Sequence, residues 1–264
     1  MSSGDLNEGF EFWDKVGKSF IDYSTAPTTK YYFDEEITAI KKHFELSPEK
    51  TFLKLDLWNE AINTNILFEV AKSGIECFGL DISEGIVQRA YNKSRFEGVD
   101  INFVIGDIFN LPFKKNSFDY LYTMGTIEHS KNMESIVSQI YQVLKPGGKA
   151  IIGLPNRLDP FFRPLLKNIM ELFNIYSFGL EKSLDVAELR NLFFKNKFRI
   201  LNSGSMLFLP GILRIIDLFF FKYFRFLTKV TEILYKPFQF LKRKIPFLRL
   251  SGYLIYIVVE KKQW

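Results

Sequence analysis

Ile101-Asn-Phe-Val-Ile-Gly-Asp107, Ser117-Phe-Asp-Tyr-Leu-Tyr-Thr123 and Leu144-Lys-Pro-Gly-Gly-Lys-Ala-Ile-Ile-Gly-Leu-Pro155 follow one another through the middle of the chain, with Phe78-Gly-Leu-Asp81 just upstream. Each is a short apolar run that ends at a polar or helix-breaking residue. Continuous rather than alternating apolar runs suit strands covered on both faces, as in a parallel sheet. Helix-length stretches lie between them. One starts at Ser83 and runs to about Glu97, closed by Gly98; another is Met133–Leu144, closed by Lys145-Pro-Gly-Gly148. Strands and helices in alternation, joined by right-handed crossovers, give a doubly wound sheet.

Working outward, Phe52–Leu57 and Glu76–Leu80 read as earlier strands, with a helix over Glu60–Ser73 between them ending near Gly74. Phe198–Ser205 and Tyr253–Glu260 read as the last two strands, which brings the count to seven with Lys149–Leu154. Helices are expected near Leu165–Phe173 and over Asp185–Phe194, the second capped by Ser183 or Asp185. Residues 10–46 are aromatic and helical with a break at Ala26-Pro-Thr-Thr29, and suit either a cap over a cleft or helices packed on a sheet edge. Three parts result: a helical cap (1–48), an α/β domain (49–206 and 249–264), and a Phe-rich basic insertion (207–248) before the last strand.

The chain has 264 residues, of which 47% are hydrophobic, enough for a sizeable core. Its single cysteine, Cys77, rules out an internal disulfide framework and sits in an apolar run, where an inert buried thiol is expected. The opening Met1-Ser-Ser-Gly-Asp-Leu-Asn-Glu has no basic segment leading into an apolar one, so no export signal is expected; the expected location is cytoplasmic. The net charge of +5 is uneven: residues 207–248 hold eight Lys/Arg against two Asp/Glu, leaving the rest of the chain at −1.

The order of the quoted segments resembles the class I S-adenosylmethionine-dependent methyltransferases, most closely the type 11 group that includes the ubiquinone and menaquinone biosynthesis enzymes. The resemblance implies a doubly wound, mostly parallel seven-stranded sheet with an antiparallel last strand, and S-adenosylmethionine as cofactor. In an open parallel sheet ligands sit beyond the carboxyl ends of the strands. Asp56, Asp81 and Asp107 occupy such ends. A carboxylate there can accept from both hydroxyls of a ribose, which by resemblance is the work of Asp81. Asp107 would accept from the adenine amino group, with Ile82, Ile108 and Phe109 along the adenine faces. Met124 follows the fourth strand at the same cleft. The family's first strand is usually followed by Asp-Leu-Gly-x-Gly-x-Gly. Here the stretch is Asp56-Leu-Trp58-Asn-Glu60-Ala-Ile-Asn63, and nothing from Thr51 to Ser73 is glycine. Two outcomes are open. The loop can take another path, with Asn59 or Asn63 left-handed, Glu60 at the methionine end and Trp58 against ligand or sulfonium. Alternatively, cofactor binding is lost and the fold serves as a catalytically inactive scaffold or docking protein.

Thr123-Met-Gly-Thr-Ile-Glu128-His129 resembles the family segment that lies beside the methyl group and acceptor. Methyl transfer to oxygen or nitrogen often needs a base, and His129 is the candidate, its ordinary pKa lying near neutrality; the other reading is a histidine that only packs or caps. The metal set of some quinone-pathway relatives, Glu-x-x-Glu-His, has Gly125 at its first position here, so no metal is expected.

The insertion holds eleven aromatics in forty-two residues. From Gly211 to Lys236 its polar residues recur every three to five positions, as on one stripe of a helix, and Lys242-Arg-Lys244 follow. An interfacial amphipathic helix fits this pattern; so does a lid on its own domain or a homodimer face. RNA binding would put the aromatics on a polar surface instead, so no nucleic acid partner is expected. The expected activity is methyl transfer to a small amphipathic or lipid-linked acceptor of quinone-precursor, lipid or glycan type, at the inner face of a membrane.

Overall fold

The computed structural model describes residues 3–262. One seven-stranded sheet runs through it in the order β3-β2-β1-β4-β5-β7-β6. The strands are β1 (Thr51–Leu55), β2 (Glu76–Asp81), β3 (Asn102–Ile105), β4 (Phe118–Met124), β5 (Leu144–Pro155), β6 (Phe198–Met206) and β7 (Leu254–Lys261). The first five pair in parallel, and β7 runs antiparallel to both β5 and β6. Order reverses between β1 and β4, so the switch point lies where Asp56 follows β1.

Helices α1 (Ser3–Ser19) and α2 (Pro27–His43) precede the sheet. α3 (Trp58–Ile62) and α4 (Ile66–Ala71) follow β1, and α5 (Glu84–Glu97) follows β2. α6 (Met133–Val143) leads into β5, and α7 (Arg163–Leu172) and α8 (Val186–Lys195) lead into β6. The insertion forms α9 (Gly211–Tyr223) and α10 (Thr228–Lys244) before β7. Local chemistry accounts for several ends. The Ser83 hydroxyl caps α5, Gly98 closes it in the left-handed region, and Asp185 with Glu188 forms a capping box on α8.

Two apolar layers sandwich the sheet. On one face Phe52, Tyr122, Ile151 and Val258 meet α2 through Tyr31 and Ile40 and the α3–α4 pair through Leu67 and Phe68. On the other, Leu53, Leu121, Ile152 and Ile257 meet Ile136, Ile140, Leu189 and Phe193. Cys77 lies in the first layer, and burial pushes its thiol up to about 12, so it stays a protonated packing group. Gly148 is required where the backbone crowds: a Cβ there would lie 2.8 Å from the Lys145 carbonyl oxygen.

Three expectations need correction. The single helix over Glu60–Ser73 is two, because Asn65 turns left-handed (φ 57°) between them. The insertion breaks at Phe224–Leu227 into a helical hairpin. Within it Asp217 is buried, not part of a solvated stripe. Its carboxylate accepts from the Thr28 backbone N–H (2.9 Å), the Thr28 hydroxyl (2.7 Å) and the Thr231 hydroxyl. This group ties α9, α10 and α2 together. The N-terminal residues combine both suggested roles: α2 packs on the sheet while α1 and the turn after it face the cleft.

Candidate functional site

A cleft of about 710 Å³ opens at the carboxyl ends of β1, β2 and β4, a size ordinary for a cofactor and small acceptor together. Asp56, Trp58, Asp81, Ile82, Asp107, Ile108, Phe109, Met124 and His129 all line it. Glu60 does not. It is fully buried, its Oε1 accepting from the Leu67 N–H (2.9 Å) and its Oε2 lying 3.1 Å from Lys54 Nζ. Helical periodicity turns it inward, away from any ligand, which corrects its expected place at the methionine end.

The path of the glycine-free loop is now explicit. Neither Asn59 nor Asn63 is left-handed; Asp56 is (φ 69°). The chain reverses there and enters α3 at once, with the Leu57 N–H donating to Asp81 Oδ2 (2.8 Å). The missing glycine has moved across the sheet. Leu57 is buried over Gly79 of β2, where a Cβ would lie 2.5 Å from Leu57 Cδ2. Trp58 meets Phe20 (5.1 Å between centroids) and Phe178 (5.7 Å), both edge to face. Bulk at position 58 therefore goes into an aromatic wall and leaves the cleft open.

Lys54, missed in the sequence, anchors the loop. Wholly buried in β1, it donates to the Asp56 carbonyl (2.7 Å) and meets Asp56 Oδ1 at 3.2 Å. Burial works against its charge, yet the carboxylates of Asp56, Glu60 and Glu36 outweigh this and hold its pKa above the ordinary value. A lysine amid Phe-Leu-Lys-Leu, at a strand centre, was the available signal. Glu36 in turn accepts from the Tyr122 hydroxyl (2.6 Å) and Asn59 Nδ2 (3.1 Å), and burial pushes its carboxyl up to about 7. Asp56 Oδ2 accepts from the Thr126 hydroxyl (2.7 Å), which accepts from Thr123 (2.9 Å).

Asp81 takes one backbone N–H on each oxygen, from Leu57 and Ser83 (2.9 Å). Each oxygen keeps a second lone pair for a ligand. Burial raises its carboxyl to about 6 against the pull of those two donors. Asp107 uses Oδ1 to accept from the Phe109 N–H (2.9 Å), a local turn that presents the rest of the carboxylate. A nucleoside fits this set of acceptors: acids at neighbouring strand tips, apolar side chains beside them, and an aromatic wall suited to a sulfonium.

At the far end His129 Nδ1 lies 2.7 Å from the Leu180 carbonyl oxygen. A carbonyl only accepts, so Nδ1 carries the proton and Nε2 holds the free lone pair. Trp13 packs edge-on against the ring (4.8 Å), and burial lowers its pKa below 6.5, which keeps it neutral at pH 7. Beside it Glu128 is 1% exposed, its Oε2 without a hydrogen-bond partner among the described residues, and burial lifts its carboxyl well above the usual range. Arg163 pairs in fork geometry with Glu181 (2.7 and 2.7 Å), which also accepts from the Tyr176 hydroxyl, and stacks over Tyr253 at 4.5 Å. Arg163, Tyr176, Glu181 and Tyr253 are spread through the sequence with no shared motif, which is why sequence reading missed them. The remaining wall, Ile215, Leu218, Phe219 and Tyr223, comes from α9.

Residues 61–152 match the family described as "Methyltransferase domain", beginning inside the glycine-free stretch. That match spans 92 of the 264 residues and agrees with the resemblance to the class I S-adenosylmethionine-dependent methyltransferases. The family match, together with a structural neighbour bound to it, supports S-adenosylmethionine as the cofactor. Among curated relatives, phosphoethanolamine N-methyltransferase 2 of Caenorhabditis elegans is 29% identical over 155 residues, covering 54% of this chain and 35% of that protein. Sterol 24-C-methyltransferase of Pneumocystis carinii is 37% identical over 78 residues, 29% of this chain and 21% of that one. The chain thus spans about a third or less of these relatives' length. In fold it is similar to phosphoethanolamine N-methyltransferase 2 of Haemonchus contortus in complex with S-adenosyl-L-methionine (TM-score 0.61, 19% identity, 87% of this chain, 53% of that). It is also similar to the [4+2]-cyclase SpnF (TM-score 0.59, 16% identity, 88% and 81%), so the fold by itself does not name a reaction.

Proposed function

We propose that this protein transfers a methyl group from S-adenosylmethionine to an oxygen or nitrogen of an amphipathic or lipid-linked acceptor at a membrane surface. One observation carries the reading: the acids at three strand ends and the neutral His129 share one cleft, whose outer wall is apolar α9. The cofactor supplies an electrophilic methyl on a sulfonium. Asp81 would hold the ribose hydroxyls, Asp107 the adenine edge beside Ile108 and Phe109, and Asp56 the amine end from a backbone pinned by Lys54. Met124 and Trp58 border the sulfonium. His129 Nε2, with Nδ1 fixed by the Leu180 carbonyl, would take the acceptor's proton when the methyl–sulfur bond breaks and S-adenosylhomocysteine leaves. The acceptor's apolar part lies along Met170, Ile175, Ile215 and Phe219, several of which continue onto the exposed surface. No helix among the described residues is long and apolar enough to cross a membrane, so the contact proposed is peripheral.

Calorimetric titration with S-adenosylmethionine tests the cofactor half; no heat at millimolar cofactor refutes it and favours the scaffold reading. Transfer of a labelled methyl group to lipid-extracted against water-soluble cell fractions tests the acceptor half. In the active fraction His129→Gln should lower kcat by about a hundredfold or more with cofactor affinity unchanged; equal kcat removes His129 as base.

A further inference from the structure

A second cavity, about 480 Å³, lies between α2, the sheet-edge strand β6 and the C-terminal half of α10. Its floor is Ser203, Gly204 and Ser205 of β6 with Tyr256 of β7. Lys42, Arg243 and Arg249 stand at its rim, and among the described residues no hydrogen bond or ion pair engages their side chains. Lys242 is different. It is turned inward onto Glu35 (2.6 Å) and the Ser205 carbonyl (2.7 Å), so the two opposite charges cancel locally. Asp34 is the one other acid on the lining. The cavity therefore carries a net charge of +2, with three free cations from three separate elements converging on a hydroxyl-lined floor. That set fits a phosphate: guanidinium and ammonium donors around the charge, with the Ser203 and Tyr256 hydroxyls beneath, while the Ser205 hydroxyl donates to the Arg249 carbonyl (3.0 Å).

The surroundings choose between a free phosphate and a lipid. Phe240, three residues before Arg243 on α10, is 60% exposed, and Phe247, two residues before Arg249, is 86% exposed. Ile245 and Leu250 are exposed between and after them. Large apolar side chains beside unpaired cations make an interfacial surface, one part entering the acyl region and the other meeting headgroups. We infer that this cavity seats the phosphate of an anionic phospholipid headgroup and, with Phe240 and Phe247, docks the protein on the bilayer. The inference deepens the membrane part of the reading above and is independent of its chemistry. It also moves the expected contact, because the Lys242-Arg243-Lys244 run is not the binding unit: Lys242 is engaged within the fold, and Lys42 of α2 takes its place across the cavity.

The test is sedimentation of the full chain with vesicles of phosphatidylcholine, with and without phosphatidylglycerol, alongside cofactor titration. The wild type should bind the phosphatidylglycerol vesicles and bind phosphatidylcholine much more weakly. Changing Lys42, Arg243 and Arg249 together to Gln should weaken vesicle binding by about a hundredfold, roughly fivefold per cation. Phe240→Ser with Phe247→Ser should also weaken it, and both variants should titrate with S-adenosylmethionine as the wild type does, which shows that they are folded. Wild-type binding by the triple variant overturns the inference. So does tight binding of glycerol phosphate by a protein that ignores vesicles, which would make the cavity a soluble-phosphate site. A chain that ignores vesicles yet titrates with the cofactor sinks this inference alone; one that binds vesicles but not cofactor sinks the methyl-transfer reading alone.

Discussion

Replacing Lys54 by Met tests how a cofactor loop without glycine is held. The side chains are similar in length, so packing is kept while the charge and its donors go. Two losses follow from the geometry. The Asp56 carbonyl loses its 2.7 Å donor, and the wholly buried Glu60 loses its cation at 3.1 Å. Glu60 can escape an unpaired charge by taking a proton. From the ordinary value of 4.5, holding that proton at pH 7 costs about 3.4 kcal/mol, at roughly 1.36 kcal/mol per unit. Adding about 1 kcal/mol for the lost hydrogen bond gives about 4 kcal/mol, inside the range of about 3–5 for breaking a buried pair. The sign of the pH dependence is fixed. Burial already raises Glu60 in the wild type, and losing Lys54 raises it further. The folded variant then binds a proton that the unfolded chain has released, so its stability should rise as pH falls from 7 toward about 5. Urea unfolding at several pH values measures this, and cofactor titration should show weaker binding because Asp56 loses its anchor. A loss under about 1 kcal/mol with no added pH slope would refute the account of the loop.

Cofactor affinity should fall as pH drops through about 6, because Asp81 then takes a proton and stops accepting from a ribose; Asp81→Asn should weaken binding at neutral pH and flatten that profile in calorimetry. Glu128→Gln should leave stability unchanged at low pH and raise it relative to wild type as pH rises above about 4.5, since the buried unpartnered carboxyl, whose folded pKa is raised, costs more the more its unfolded form ionises; a melting-temperature series checks the crossover. Asp217→Ala should cost about 2 kcal/mol by stranding the Thr28 N–H and hydroxyl, while the Thr231 hydroxyl keeps the Thr228 carbonyl as acceptor (2.8 Å), and limited proteolysis should then cut first in residues 207–250; unchanged proteolysis would mean that the hairpin is held by its apolar contacts alone.

The sheet was legible because its signal is local. Five successive apolar runs, each stopped by Asp, Gly or Pro, allow few arrangements, and Asp81 and Asp107 declare themselves as acids at strand tips. The closure at Gly98 was legible for the same reason, and the N-cap of α8 to within Ser183 or Asp185, of which the structure uses Asp185. Placement of the remaining parts depended on partners distant in sequence. Whether a Trp at position 58 blocks the cleft depends on Asp56 accepting a left-handed φ and on Gly79, a strand away, making room for Leu57. Whether Glu60 meets ligand or lysine depends on which side of a five-residue helix faces β1. The basic run at 242–244 is uniform as sequence, yet one member is buried on Glu35 while its neighbour is free. Short-range pattern determines which element a residue joins; burial, and with it the work a charge can do, is set by what the rest of the chain packs against it, and that is decided only in three dimensions.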